Sequence, residues 1–141
     1  MMEQAQIQTL IRAAFAAREY SYAPYSRFKV GAALLAADGT VYTGCNIENA
    51  AYTPTVCAER TALFKAVSEG KRTFYAIAIV GSLEGRKNER ITSPCGVCRQ
   101  ALYEFGGPSL RVILAKSEED YLLTTLGELL PQGFGPKNLE G

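Results

Sequence analysis

Residues 74–115 read FYAIAIVGSLEGRKNERITSPCGVCRQALYEFGGPSLRVILA, and this stretch decides the fold. Phe74 to Val80 is a short apolar run, which predicts a buried strand. Gly81 to Arg90 is polar and predicts a loop. Ser93-Pro94 pairs a capping residue with a proline, the combination favoured at a helix start. The helix should continue to about Phe105 and stop at Gly106-Gly107-Pro108. Leu110 to Ala115 predicts a second apolar strand. Strand, helix and strand in that order imply parallel pairing through a right-handed crossover.

The flanking sequence extends the pattern. Residues 4–20 carry Ile7, Leu10, Ile11, Ala14 and Phe15 at helical spacing, and Tyr22-Ala23-Pro24-Tyr25-Ser26 breaks that helix. Phe28 to Ala37 and Val41 to Asn46 predict two strands joined by Asp38-Gly39, a strong hairpin signal. A second helix is expected from about Val56 to Glu69, ending before Gly70. After the central unit come a strand over Tyr121 to Thr125 and a short helix over Leu126 to Leu130. The order α-β-β-α-β-α-β-β-α predicts an α/β fold, a single mixed five-stranded sheet with helices on both faces. At 141 residues the chain suits one domain spanning 1–141.

Composition narrows the partners. Fifteen Lys+Arg face fourteen Asp+Glu, a net charge of +1. Polynucleotide binding draws most of its affinity from a basic surplus, so a small substrate is expected and a polynucleotide is not. No apolar run approaches the roughly 18 to 20 residues of a membrane span. Met1-Met2-Glu3-Gln4 lacks the basic start and apolar run of a secretory signal, so the cytoplasm is the expected location. The chain has no histidine. Acid-base chemistry must therefore use a carboxylate, lysine, tyrosine or metal-bound water, and a metal site must use cysteine or carboxylate.

Four cysteines occur, Cys45, Cys57, Cys95 and Cys98, and disulfides are the weaker reading for an intracellular protein. Cys95-Gly96-Val97-Cys98 opens the central helix, and positions i and i+3 share a helical face. Free N–H groups and the dipole at a helix start favour thiolate. Cys57 is expected near the start of another helix, so two helix starts can deliver three thiolates to one cation. Three ligands leave a tetrahedral zinc with an open position, the mark of a catalytic site. Arg60 follows nearby and can offset the thiolate charge. Glu59 is two residues from Cys57, which on a regular helix separates their side chains by about 200°. Both serve one site only if the pocket lies across the helix N-terminus. Two rivals remain open here: a redox CxxC pair, and a closed structural site with Cys45 as fourth ligand.

At these motifs the sequence resembles the cytidine deaminases, in their small all-cysteine zinc form. The resemblance runs from about residue 7 to 136. It includes Tyr22-Ala23-Pro24-Tyr25-Ser26, Phe28-Lys29-Val30-Gly31-Ala32-Ala33-Leu34 and Gly44-Cys45-Asn46-Ile47-Glu48-Asn49-Ala50-Ala51-Tyr52. It continues through Cys57-Ala58-Glu59-Arg60-Thr61-Ala62 and Ser93-Pro94-Cys95-Gly96-Val97-Cys98-Arg99-Gln100 to Leu129-Leu130-Pro131 and Phe134. The resemblance implies a cytidine deaminase-like fold that hydrolyses cytidine and 2′-deoxycytidine to uridine and 2′-deoxyuridine. Cys57, Cys95 and Cys98 would hold one Zn2+ per subunit, Glu59 would move protons, and Arg60 would bond to ligand sulfur. Phe28 would pack on the pyrimidine, and Asn46 and Glu48, spaced to share a face of an extended segment, would hold the sugar. Ala50, Tyr52 and Phe134 would reach a neighbouring subunit's pocket in a homotetramer. Thr53-Pro54-Thr55-Val56 departs from the family pattern at its proline. A blasticidin-type deaminase would share the zinc motifs, and a non-catalytic zinc module would need a fourth protein ligand.

Overall fold

A computed structural model describes residues 2–140; Met1 and Gly141 lie outside them, so the readings that include them apply to the rest of the chain. The order is α1 (Gln4–Arg18), β1 (Phe28–Ala36), β2 (Val41–Cys45), α2 (Ala58–Ser68), β3 (Phe74–Leu83), α3 (Gly96–Gly106), β4 (Arg111–Ala115), β5 (Tyr121–Thr125) and α4 (Leu126–Leu129). The strands form one sheet in the order β2-β1-β3-β4-β5. β3 and β4 pair parallel, and the other neighbours pair antiparallel. This is the mixed five-stranded sheet expected from the sequence.

Strand alternation assigns the two faces. On one face, Leu34, Ile77, Ile79, Val112 and Leu114 pack with Ala62, Leu63 and Ala66 of α2, Leu102 of α3 and Leu126 of α4. On the other, Ala33, Ala76, Ala78, Val80 and Ile113 receive Ile7, Leu10, Ile11 and Ala14 of α1. Burying each of the larger aliphatics contributes about 1.5–3 kcal/mol, and α1 contributes only its amphipathic stripe to that sum.

Two glycines set how closely helices approach the sheet. A Cβ on Gly31 would lie 2.0 Å from the Ala14 carbonyl oxygen, and one on Gly44 would lie 2.5 Å from both the Ala58 carbonyl oxygen and the Ala62 nitrogen. Backbone meets backbone at both places. Gly44 thereby fixes the height of the first turn of α2 above β2.

Several boundaries differ from the sequence expectation. α1 ends at Arg18, because Tyr22 leaves to bridge Ile47. α2 begins at Ala58, because Val56 also bridges Ile47 and Cys57 becomes the N-cap. β3 runs to Leu83, because its far end pairs with Phe28, Lys29 and Val30 of β1. Ser93-Pro94 does not cap α3; Cys95 does. The reason is Arg99, whose Nε donates to the Pro94 carbonyl at 2.7 Å and whose Nη2 donates to Ser93 Oγ at 2.9 Å. Its Nη1 also reaches the Leu129 carbonyl at 2.5 Å, tying α3 to α4. A 3-10 turn over Pro136–Leu139 was not expected from the sequence.

Gly44→Ala is expected to destabilise the fold by about 1–3 kcal/mol, the usual cost of forcing extra volume into a packed contact. Denaturant unfolding of the variant checks this, and an unchanged midpoint would refute the close approach.

Candidate metal centre and base pocket

Cys57 is the N-cap of α2, Cys95 is the N-cap of α3, and Cys98 lies within the first turn of α3. The two helix N-termini converge, so three sulfurs lie within 4.8 Å of one another. Cys57 Sγ and Cys95 Sγ are 3.7 Å apart. Sulfurs placed tetrahedrally about 2.3 Å from zinc are about 3.8 Å apart, so the donor set fits that ion in both chemistry and spacing. The redox reading of Cys95 and Cys98 does not account for the third sulfur.

Cys45 ends β2 in register with Gly31 and, among the described residues, is absent from the sulfur group. The closed four-cysteine site is therefore not formed. Burial raises the Cys45 thiol, as expected of a small half-buried side chain.

Arg60 binds two of the sulfurs, through Nε to Cys98 Sγ at 3.4 Å and Nη2 to Cys57 Sγ at 3.5 Å. A hydrogen bond from Cys98, aided by Arg60, holds the Cys57 thiol down to about 5. The same Cys57–Cys98 contact, with burial, pushes Cys98 far up. One sulfur ionises readily and its neighbour then resists, since negative charges this close repel. A divalent cation is the partner that lets the sulfurs ionise together.

Glu59 is 3% exposed, one of two buried polar or charged residues in the described chain, the other being Ser82. Burial pushes its carboxyl up to about 7, and the Cys57 charge acts in the same direction. Because Cys57 is a cap with extended backbone rather than a helical residue, the 200° separation of a regular helix does not apply to the pair. This carboxyl can exchange a proton near neutral pH, as a general acid-base requires.

The expected substrate residues gather along the neighbouring edge. Phe28 opens β1. Asn46 is held tightly: Oδ1 accepts from Val30 N at 2.9 Å and from Ser21 Oγ, while Nδ2 donates to the Phe28 carbonyl at 2.7 Å. One amide N–H remains for a ligand. Glu48 Oε1 accepts from Tyr25 N at 2.9 Å and Ser26 N at 3.1 Å, and Oε2 accepts from Ser26 Oγ at 2.5 Å. Sequence reasoning did not single out Ser21 or Ser26. Ser26 closes the family segment Tyr22–Ser26, which carried no site role, and Ser21 stands immediately before it.

Ala50, Tyr52 and Phe134 are exposed. Tyr52 adopts φ 64° and meets Tyr25 edge-on, with ring centroids 6.1 Å apart. Pro54 lies inside the turn closed by Thr55 N on the Tyr52 carbonyl at 2.8 Å, where its missing N–H costs nothing. Val56 then rejoins Ile47, so the loop delivers Cys57 in place. The Phe134 backbone is anchored by Gln100 Nε2 at 2.9 Å.

Comparison with known proteins agrees with this geometry. Residues 4–115 match the family model described as the cytidine and deoxycytidylate deaminase zinc-binding region. A cytidine deaminase of Sporosarcina psychrophila is 52% identical over 133 residues, covering 94% of each chain. One from Halalkalibacterium halodurans is 49% identical over 132 residues, covering 94% of this chain and 96% of the relative. The crystal structure of cytidine deaminase from Burkholderia pseudomallei is 50% identical, with a TM-score of 0.82 over 95% of this chain and all of that one. With that family model spanning most of its length and these relatives near half identity, the chain belongs to the cytidine and deoxycytidylate deaminase family.

Proposed function

We propose that this chain hydrolyses the exocyclic C–N bond of cytidine and 2′-deoxycytidine, releasing ammonia and uridine or 2′-deoxyuridine. The observation that carries the reading is the buried Glu59 carboxyl beside three sulfurs brought together by two helix N-termini. Cys57, Cys95 and Cys98 hold one zinc per subunit. Zinc so held supplies Lewis acidity and makes a bound water acidic enough to lose its proton near neutral pH.

Glu59 accepts the proton of the water that attacks C4 and delivers it to N3 of the base. It then takes the second proton of the attacking oxygen and gives it to the amine, which leaves as ammonia. The carboxylate is regenerated, so one residue serves both transfers. Arg60 draws charge from Cys57 and Cys98, countering the tendency of three thiolates to blunt the ion's acidity. Phe28 packs on the pyrimidine. Asn46 offers its one free N–H to a sugar oxygen, and Glu48, an acceptor only, receives a sugar hydroxyl proton. A phosphate ester has no such proton and would meet a carboxylate, which favours a free nucleoside over a cytosine within a polynucleotide. A sugar replaced as in blasticidin-type substrates would not present the same hydroxyl.

The catalytic domain spans 1–141 and acts in the cytoplasm as a homotetramer. Ala50, Tyr52 and Phe134 each complete the pocket of a neighbouring subunit. The exposure of Tyr52 at 72% and Phe134 at 56% supports that role, and no helix among the described residues is long and apolar enough to cross a membrane.

Purified protein is expected to contain one zinc per chain and to convert cytidine to uridine, read by ultraviolet absorbance. Glu59→Gln should retain zinc and lower kcat at least about 10²- to 10⁴-fold, the range for a lost general acid-base; near-normal turnover would remove Glu59 from the reaction. Serine at Cys57, Cys95 or Cys98 should abolish stoichiometric zinc, measured by atomic absorption. Cys45→Ser should retain it, and loss of zinc there would revive the closed structural site.

A further inference from the structure

Ser26 is hydrogen-bonded both to Glu48 and to the backbone of Phe28. A serine hydroxyl has one proton to give and two lone pairs to receive with. Ser26 Oγ donates that proton to Glu48 Oε2 at 2.5 Å and accepts from Phe28 N at 3.0 Å. One oxygen therefore joins the carboxylate assigned to the sugar to the first peptide N–H of β1, the residue assigned to the base. The Ser26 backbone N–H supplies a further bond to Glu48 Oε1, alongside that of Tyr25.

The chain between these contacts is not free to rearrange. Arg27, flanked by Ser26 and Phe28, has φ 62°, a region disfavoured for any residue with a side chain. It is held there by its N–H on the Ala23 carbonyl at 3.0 Å and by Glu84 N on its own carbonyl at 2.7 Å. Glu48 Oε1 is fully occupied, so only Oε2 can meet a ligand, and Ser26 is what aims it. The same hydroxyl is the leading influence holding the Glu48 carboxyl below its ordinary value. An ionised, fixed acceptor is what a sugar hydroxyl requires.

We propose that Ser26 is a positioning residue for substrate selection, its hydroxyl locking the Glu48 carboxylate at a set distance from Phe28 so that sugar and base are read together. The proposal rests on the reading that Glu48 receives a sugar hydroxyl. It assigns Ser26 no contact with the reacting atoms, so the chemical step should be little affected when it is changed.

The test compares cytidine with 2′,3′-dideoxycytidine, which keeps the base and lacks both ring hydroxyls. Steady-state constants are measured for the unmodified enzyme, Ser26→Ala, Ser26→Thr and Glu48→Ala, each with its zinc content determined and with enough enzyme to follow the slower substrate. Ser26→Ala should raise KM for cytidine about tenfold, the scale of a charge-assisted hydrogen bond, with kcat within about twofold. Its kcat/KM for the dideoxy substrate should hold, so discrimination falls, and Ser26→Thr should restore it. If Ser26→Ala does not fold, Ser26→Cys, which exchanges the hydroxyl for a weak donor, is read the same way. Unaltered discrimination in the serine variant while Glu48→Ala loses it would overturn the role of Ser26 alone. An equal loss on both substrates would do so too, by showing a general structural role. Unaltered discrimination in Glu48→Ala would overturn the sugar reading, and the proposal with it.

Discussion

Three sulfurs held within 4.8 Å impose a demand that the rest of the fold is arranged to meet. Thiolates this close repel, and each must also lose water to approach its neighbours. The chain answers with positive potential from several sources. Two helix N-termini, with their positive dipole ends, carry the cluster, the Arg60 guanidinium bonds to two of the sulfurs, and the remaining deficit suits a divalent cation. Take away the convergence of α2 and α3 and none of these terms has a common target.

That convergence is a packing result before it is a chemical one. α2 and α3 share one face of the sheet, with Leu63 and Leu102 in the same core as Leu34, Ile77 and Val112. α2 sits low because Gly44 lets the Ala58 and Ala62 backbone close on β2. Glu59, in the first turn above that contact, is buried as a consequence, and burial is what raises its carboxyl toward neutrality. A one-atom side chain missing from β2 is thus linked to the proton affinity of a carboxyl on the helix above it. α1, on the opposite face, contributes stability without chemistry.

Much of this was legible in the sequence, for identifiable reasons. The near-continuous apolar runs of β3 and β4, set on either side of a helix, suit strands covered on both faces, so the fold class followed. Cys95 and Cys98 were legible because their spacing is periodic with a helix, and Cys57 because it stands at the start of another. The capping of α3 was not: Ser93-Pro94 has the chemistry of a helix start, yet Arg99 withdraws both residues and Cys95 takes their place. The difficulty of placing Glu59 with Cys57 came from treating Cys57 as helical. Long-range partners such as Ser26 with Glu48, which are 22 residues apart, carry no periodic signal and needed the structure. Residues that serve a second copy of the chain, as proposed for Tyr52 and Phe134, leave only surface exposure as their mark.

The Arg99 clamp, described above as the reason Ser93-Pro94 stands outside α3, also anchors the end of the polar segment that precedes the sulfurs. Thr92 Oγ1 donates to the Gly81 carbonyl at 3.2 Å, pinching the neck of that segment just before the clamp begins. Whatever is threaded between Leu83 and Thr92 re-enters the fold through the same narrow gate, and lengthening such a loop twofold costs only about 0.6 kcal/mol. That tolerance is confined to the tip around Gly85 and Arg86, because Glu84 N holds the Arg27 carbonyl at 2.7 Å and Asn88 Nδ2 holds the Ala115 carbonyl at 2.8 Å, and any graft must leave both ties in place.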